Sequence, residues 1–173
     1  MDMHNFHELT NRCSAFTLQS LAMAQEHIIS LLDLRGETIL VKNMQAIQLQ
    51  RVIFVVGMFS IFEANIQDRF NCKDGFKMIR DILNDKSEEG LRETFEYIYS
   101  AINALKHGRG RSYDFLLENY ERLPFLIKKP GEEFFMEGDV SEVRSLVYVD
   151  DNFIRLCGDT IQKISNLLDT KSP

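Results

Sequence analysis

The stretch Ala101-Ile-Asn-Ala-Leu-Lys-His-Gly-Arg-Gly-Arg-Ser-Tyr113 gathers residue types that can act on a phosphate. Asn103 and His107 lie four apart, which puts them on one face of a helix end. Lys106, Arg109 and Arg111 add three positive charges beside them. Histidine exchanges protons near neutral pH, and arginine grips a phosphate through paired hydrogen bonds. The same residues also have a plainer use. A histidine followed by glycine at a helix C-terminus satisfies the last carbonyls and complements the dipole, as do neighbouring Lys and Arg. On spacing alone, the plainer use is favoured. Glu63 is a further candidate because it closes the eleven-residue apolar run Val52–Phe62. It either orients His107 or an arginine across a bundle, or leaves the core where its helix turns to solvent beside Gln67. Ser112 reads as a helix cap and Tyr113 as core.

Other chemistries find little support. Di-iron helical bundles use Glu-x-x-His pairs, and none of the four histidines has a glutamate three residues before it. His4 and His7 share a helix face only at the terminus. There is no HExxH, P-loop or GxGxxG pattern, and no strand precedes the glycines of Gly108–Ser112. No metal and no cofactor is expected. Cys13, Cys72 and Cys157 are odd in number with no metal-ligand spacing, which suits reduced thiols in a cytoplasmic protein.

The elements that must position these residues are helical. Prolines occur only at 124, 130 and 173, so the first 123 residues are free of the residue that most disrupts helices. Phe6, Leu9, Cys13, Phe16, Leu21, Met23, Ile28, Leu31 and Leu32 predict a helix from about Asn5 to Leu34. A second is expected from Thr38 to Phe70, apolar almost all round at its middle, as befits the centre of a bundle. Close packing against a neighbouring helix is the expected reason for Gly57. Asp74 should cap a short helix over Gly75–Asn84. Leu91, Phe95, Ile98, Ile102 and Leu105, spaced four, three, four and three, define an amphipathic helix from about Glu88 to Lys106. Relative to that stripe Asn103 is rotated by about 120° and His107 by about 160°, so both point away from it. A short helix follows from Ser112 to Leu123, and a last one runs from about Asp151 to Leu168. Between them, residues 124–149 change character, with Pro130-Gly131, Gly138-Asp139 and the alternating Ser145–Val149. The fold class is therefore all-α: an up-and-down bundle of four main helices, short helices, and an irregular insertion near 124–149, all in one domain over 1–173.

Length and composition agree. The 173 residues suit a single domain, and 45% apolar with 27% charged residues is a globular balance. A net charge of −6 argues against non-specific adhesion to nucleic acid while leaving room for a local basic patch. The N-terminus lacks the apolar core of a signal peptide, and Val52–Phe62 is too short to cross a bilayer. A cytoplasmic protein with no membrane partner is expected.

Two segments resemble the HEPN superfamily, the helical domains named for higher eukaryotes and prokaryotes nucleotide-binding. Phe59-Ser-Ile-Phe-Glu-Ala-Asn65 is similar to the family's second long helix, with its acidic residue after an aromatic run. Asn103-Ala-Leu-Lys-His107 matches the asparagine and histidine of its Arg-Asn-x-x-x-His motif. The resemblance implies a domain of a bacterial defence or toxin–antitoxin system that binds RNA, or an antitoxin or other protein partner, through the 103–111 helix end and loop. Active members are metal-independent endoribonucleases whose motifs meet between two protomers, so a homodimer is implied. By that likeness His107 is the acid/base, Asn103 positions it or the phosphate, and Lys106, Arg109 and Arg111 hold RNA. One departure matters: Ile102 stands where the motif has arginine, and the nearest preceding arginine, Arg92, is fifteen residues before His107. Either Arg109 or Arg111 supplies the charge, or cleavage is lost and binding kept. The second is favoured, because losing a phosphate clamp removes several kcal/mol of transition-state stabilisation. The alternative is a non-enzymatic, dimeric protein-interaction module.

Overall fold

The computed structural model describes residues 3–34, 37–132, 143 and 145–169. The turn expected at Gly138-Asp139 and the glycine stop at Gly36 lie outside them. Among the described residues there are six α-helices: α1 (Met3–Leu32), α2 (Thr38–Phe70), α3 (Gly75–Asp85), α4 (Glu89–His107), α5 (Arg111–Glu118) and α6 (Asp151–Asp169). The fold is an all-α bundle in which α1, α2, α4 and α6 are the long members. After α5 a single 3-10 turn, Tyr120–Arg122, ends the helical run that was expected to reach Leu123. The 124–149 insertion is extended where described, and Ile127 and Val147 form an isolated antiparallel bridge. Lys128 N donates to Leu146 O at 2.9 Å and Tyr148 N to Leu126 O at 2.9 Å.

Local signals set the helix ends. The Asp74 carboxylate accepts from Lys77 N at 2.8 Å, and Asp150 caps α6 by accepting from Phe153 N at 2.8 Å. Each such cap contributes about 1 kcal/mol. At the other end of α2, Asn71 takes the left-handed conformation that closes the helix.

The main core is aromatic. Phe59 and Phe62 of α2, Phe95 of α4 and Phe153 of α6 are fully enclosed, with Phe76 of α3 among them. Phe76 meets Phe59, Phe95 and Tyr99 at centroid distances of 5.9, 5.5 and 5.4 Å. These edge-on and tilted contacts add to the burial of large apolar area. Gly75 allows α3 to lie this close to α2, since a Cβ there would stand 2.8 Å from the Glu63 carbonyl oxygen. A second, smaller apolar cluster, Leu21, Ile28, Leu40 and Ile47, zips α1 to α2 away from this core. Ion pairs tie α2 to α6: Arg51 to Asp151 at 3.1 Å and Arg69 to Asp169 at 2.6 Å.

Val52–Phe62 lies, as expected, within the helix Thr38–Phe70, which is long and apolar enough by length and composition to cross a membrane, a test that the core helix of a soluble protein also passes. The structure corrects one expectation for α2: its middle is not enclosed all round. One side carries core phenylalanines, whereas Ile53 and Ile61 on the other are 61% and 56% exposed. Among the described residues nothing lies within 4 Å of a Cβ placed on Gly57, so the close helix packing expected there is not found.

Candidate phosphate-binding groove

The groove begins with the two-sidedness of α4. Phe95, Ile98, Ala101 and Ile102 face the core and are buried. Asn103 and His107 lie away from that side, and Tyr99, which also touches Phe76 and Phe95, and the buried Ser100 join them in lining the groove. The helix stops because Gly108 adopts φ 76°, a left-handed value that glycine takes without steric cost, while its N–H donates to Ala104 O at 2.9 Å. Three residues later α5 starts and packs back on α4.

Gly110, not Ser112, holds the N-cap position of α5, and its carbonyl accepts from Asp114 N at 2.9 Å. Ser112 therefore sits in the first turn, where it lines the groove. With no side-chain cap, the first amides of α5 and the positive end of its dipole are left at the groove's edge. Tyr113 is buried, as expected, and its hydroxyl donates to the Lys128 carbonyl. Burial pushes that phenol's pKa up, so it stays protonated and keeps α5 tied to the extended insertion.

Asn103, His107, Arg109 and Arg111 line one open cavity of about 500 Å³ between the end of α4 and the start of α5. Tyr99 and Phe115 give it two aromatic walls. The charged side chains in its lining are all basic, in a chain whose net charge is −6. His107, Arg109 and Arg111 are exposed and Asn103 is half-buried. None of the three basic residues has an ion-pair partner among the described residues. Among the same residues, no three His, Cys, Asp or Glu side chains cluster as metal ligands would. The chemistry available here is that of an imidazole, an amide and two guanidinium groups.

Two candidates fall outside the lining. Lys106 is exposed on the flank of α4, and its charge acts on Glu63. Glu63 is half-buried, and its pKa is raised above 4.5 by desolvation first and by Asp74 second, with Lys106 and Arg80 pulling it down. Its charged neighbours are thus Asp74, Lys106 and Arg80; it is not among the groove's lining residues. Ile102 is buried in the apolar stripe, so an arginine at that position would have to enter the core.

Sequence spacing missed Arg80. On α3, its Nε donates to Glu96 Oε1 at 2.6 Å and its Nη2 to Glu96 Oε2 at 3.2 Å, a two-pronged pair. Its guanidinium lies 4.3 Å from the centroid of the Tyr99 ring. Arg80 therefore fixes the aromatic wall of the groove from a different helix. Only the fold brings it there, since no short spacing joins α3 to the end of α4.

Comparison of the chain with family models, with curated proteins and with solved structures finds no match.

Proposed function

We propose that this chain is a HEPN-like helical domain that binds RNA at a phosphodiester through the α4–α5 groove, in a bacterial defence or toxin–antitoxin setting. The observation that carries the reading is the convergence of Asn103, His107, Arg109 and Arg111 on one cavity whose charged lining is wholly basic. A polyanion gains most where an acidic protein concentrates unpaired cations, and the free amides of α5 add to that field. Phe115 lines the same cavity, and an aromatic ring there can stack on an unpaired base, which favours a single strand over a duplex.

The same residue types would serve phosphodiester cleavage if Arg109 or Arg111 replaces the motif arginine; with Ile102 in that place, binding without cleavage is the favoured form. The RNA 2′-oxygen attacks the adjacent phosphorus, the bond to the 5′-oxygen breaks, and a 2′,3′-cyclic phosphate and a 5′-hydroxyl result. His107 takes the proton from the attacking 2′-hydroxyl while water protonates the departing 5′-oxygen. Arg109 or Arg111 offsets charge developing on the phosphoryl oxygens, a role that buried Ile102 cannot fill. Asn103, one turn before His107, positions the phosphate or the ring.

The test is incubation of wild type and His107→Ala with labelled RNA in EDTA, both checked for folding. Cleavage by wild type alone supports a ribonuclease with a loop-supplied arginine. RNA binding without cleavage supports a binding domain. Failure to bind RNA at low salt overturns the proposal. The exposed apolar side of α2 favours a second reading, a dimeric interaction module in the cytoplasm whose partner is a protein.

A further inference from the structure

A polar cavity lies between α1, α2 and residues 148–151, apart from the basic groove. It measures about 370 Å³, at the small end of the range for ligand sites. Arg51 of α2 is the only cation lining it; the other charged lining residues are Glu26 of α1 and Asp150 and Asp151 at the start of α6. Arg51 is only 7% exposed. Its Nε and Nη2 donate to one and the same atom, Asp151 Oδ1, at 3.3 and 3.1 Å. Nη2 also donates to Gln25 Oε1 at 3.4 Å, longer than a usual hydrogen bond. Nη1 is buried and has no hydrogen-bond partner among the described residues. A buried guanidinium nitrogen without an acceptor is costly, and its place in a cavity wall points to an acceptor that arrives with a ligand.

We propose that this cavity binds a free amino acid with a cationic side chain, its carboxylate on Arg51 Nη1 and its two cationic groups against Glu26 and Asp150. Charge selects this class of ligand. The lining sets three carboxylates against one guanidinium, and Asp151 already pairs with Arg51 at 3.1 Å. A bare anion would be repelled by Glu26 and Asp150, and a plain diamine would leave Nη1 without an acceptor. A molecule that carries both a carboxylate and two cations meets each demand. The long Gln25 bond is weak enough for that amide to turn aside as the carboxylate enters. Ala22 and Ile29 line the same space and suit the aliphatic stem of such a side chain. The cavity shares no lining residue with the α4–α5 groove, so either proposal can fail without the other.

Calorimetric titration of the full chain with L-lysine tests the inference, with L-glutamate and putrescine as controls at matched ionic strength. L-lysine should bind, and each control should bind about tenfold or more weakly, because each lacks part of what the cavity recognises. Glu26→Gln, at an exposed position, should fold as wild type does and weaken L-lysine about threefold to fivefold. Arg51→Lys keeps a cation for Asp151 but has no Nη1, and should lose L-lysine binding. If circular dichroism shows that Arg51→Lys does not fold, Glu26→Gln decides alone. No binding of L-lysine at millimolar concentration overturns the proposal. Controls that bind as tightly as L-lysine overturn it too, since they would show a general ionic effect only. Binding unchanged in Glu26→Gln, or in a folded Arg51→Lys, overturns it as well.

Discussion

Salt dependence reads the number of phosphate contacts directly, and the groove fixes what that number should be. Arg109 and Arg111 line it, and Lys106 stands on the flank of the same helix end. For a single strand, log affinity falls against log salt with a slope of about −0.7 per neutralised phosphate. Two contacts give a slope of about −1.4, or roughly a sevenfold loss of affinity on raising salt fourfold. If Lys106 joins, the slope is about −2.1 and the loss about eighteenfold. Arg109→Ala should flatten the slope by about 0.7 and weaken binding to every sequence alike, because a phosphate contact carries no base information. The assay is fluorescence anisotropy of a labelled single-stranded RNA titrated at several potassium chloride concentrations. Both arginines are exposed and make no ion pair among the described residues, so Arg109→Ala/Arg111→Ala should retain the wild-type melting temperature. Binding that ignores salt, or that keeps its full slope in the double variant, would refute the reasoning.

Other perturbations test the frame around the groove. Gly75→Ala should destabilise the chain by about 1–3 kcal/mol, measured by urea unfolding, because its Cβ would collide with the Glu63 carbonyl and push α3 off α2. Phe95→Ala should cost about 3–5 kcal/mol, since it empties the middle of the aromatic core; a loss under 1 kcal/mol would show that the core is not packed as described. Glu63→Gln should raise the melting temperature at pH 7 and have little effect near pH 4. The folded-state pKa of Glu63 is raised, so its relative contribution is favourable below the unfolded value and is lost as pH rises through the folded one. Equal melting shifts at both pH values would contradict this. Cys157 is fully buried, and burial drives its thiol pKa up, so in native protein it should resist an alkylating reagent that labels exposed Cys13. Mass spectrometry of the alkylated chain decides it.

Much of the fold was legible because its signals are local. Asp74 and the Leu91–Leu105 stripe act within one or two helical turns, and the helices they predict lie where expected to within a residue or two. The grouping of Asn103, His107, Arg109 and Arg111 was legible for the same reason: one helix end and one loop hold them all. What escaped depends on contacts between elements. Arg80 reaches Tyr99 only because Gly75 lets α3 sit tightly on α2. The exposure of Ile53 and Ile61 escaped as well, since an apolar side chain looks the same in sequence whether it faces its own core or another surface. Ser112 was taken for a cap by residue type, yet the loop closes two residues earlier, at Gly110.

The second apolar cluster, Leu21, Ile28, Leu40 and Ile47, shares no buried residue with the aromatic core. A hairpin held by its own small set of contacts can open as a separate cooperative unit, at a lower free energy than the bundle. Amides over α1 beyond Leu21 and over α2 before Ile47 should then exchange with solvent sooner than those around Phe59 and Phe95. The groove belongs wholly to the slower unit, since α4 and α5 are built on the aromatic core. Turns of helix added to or removed from the hairpin arm would accordingly change how far the chain reaches while leaving the groove around His107 in place.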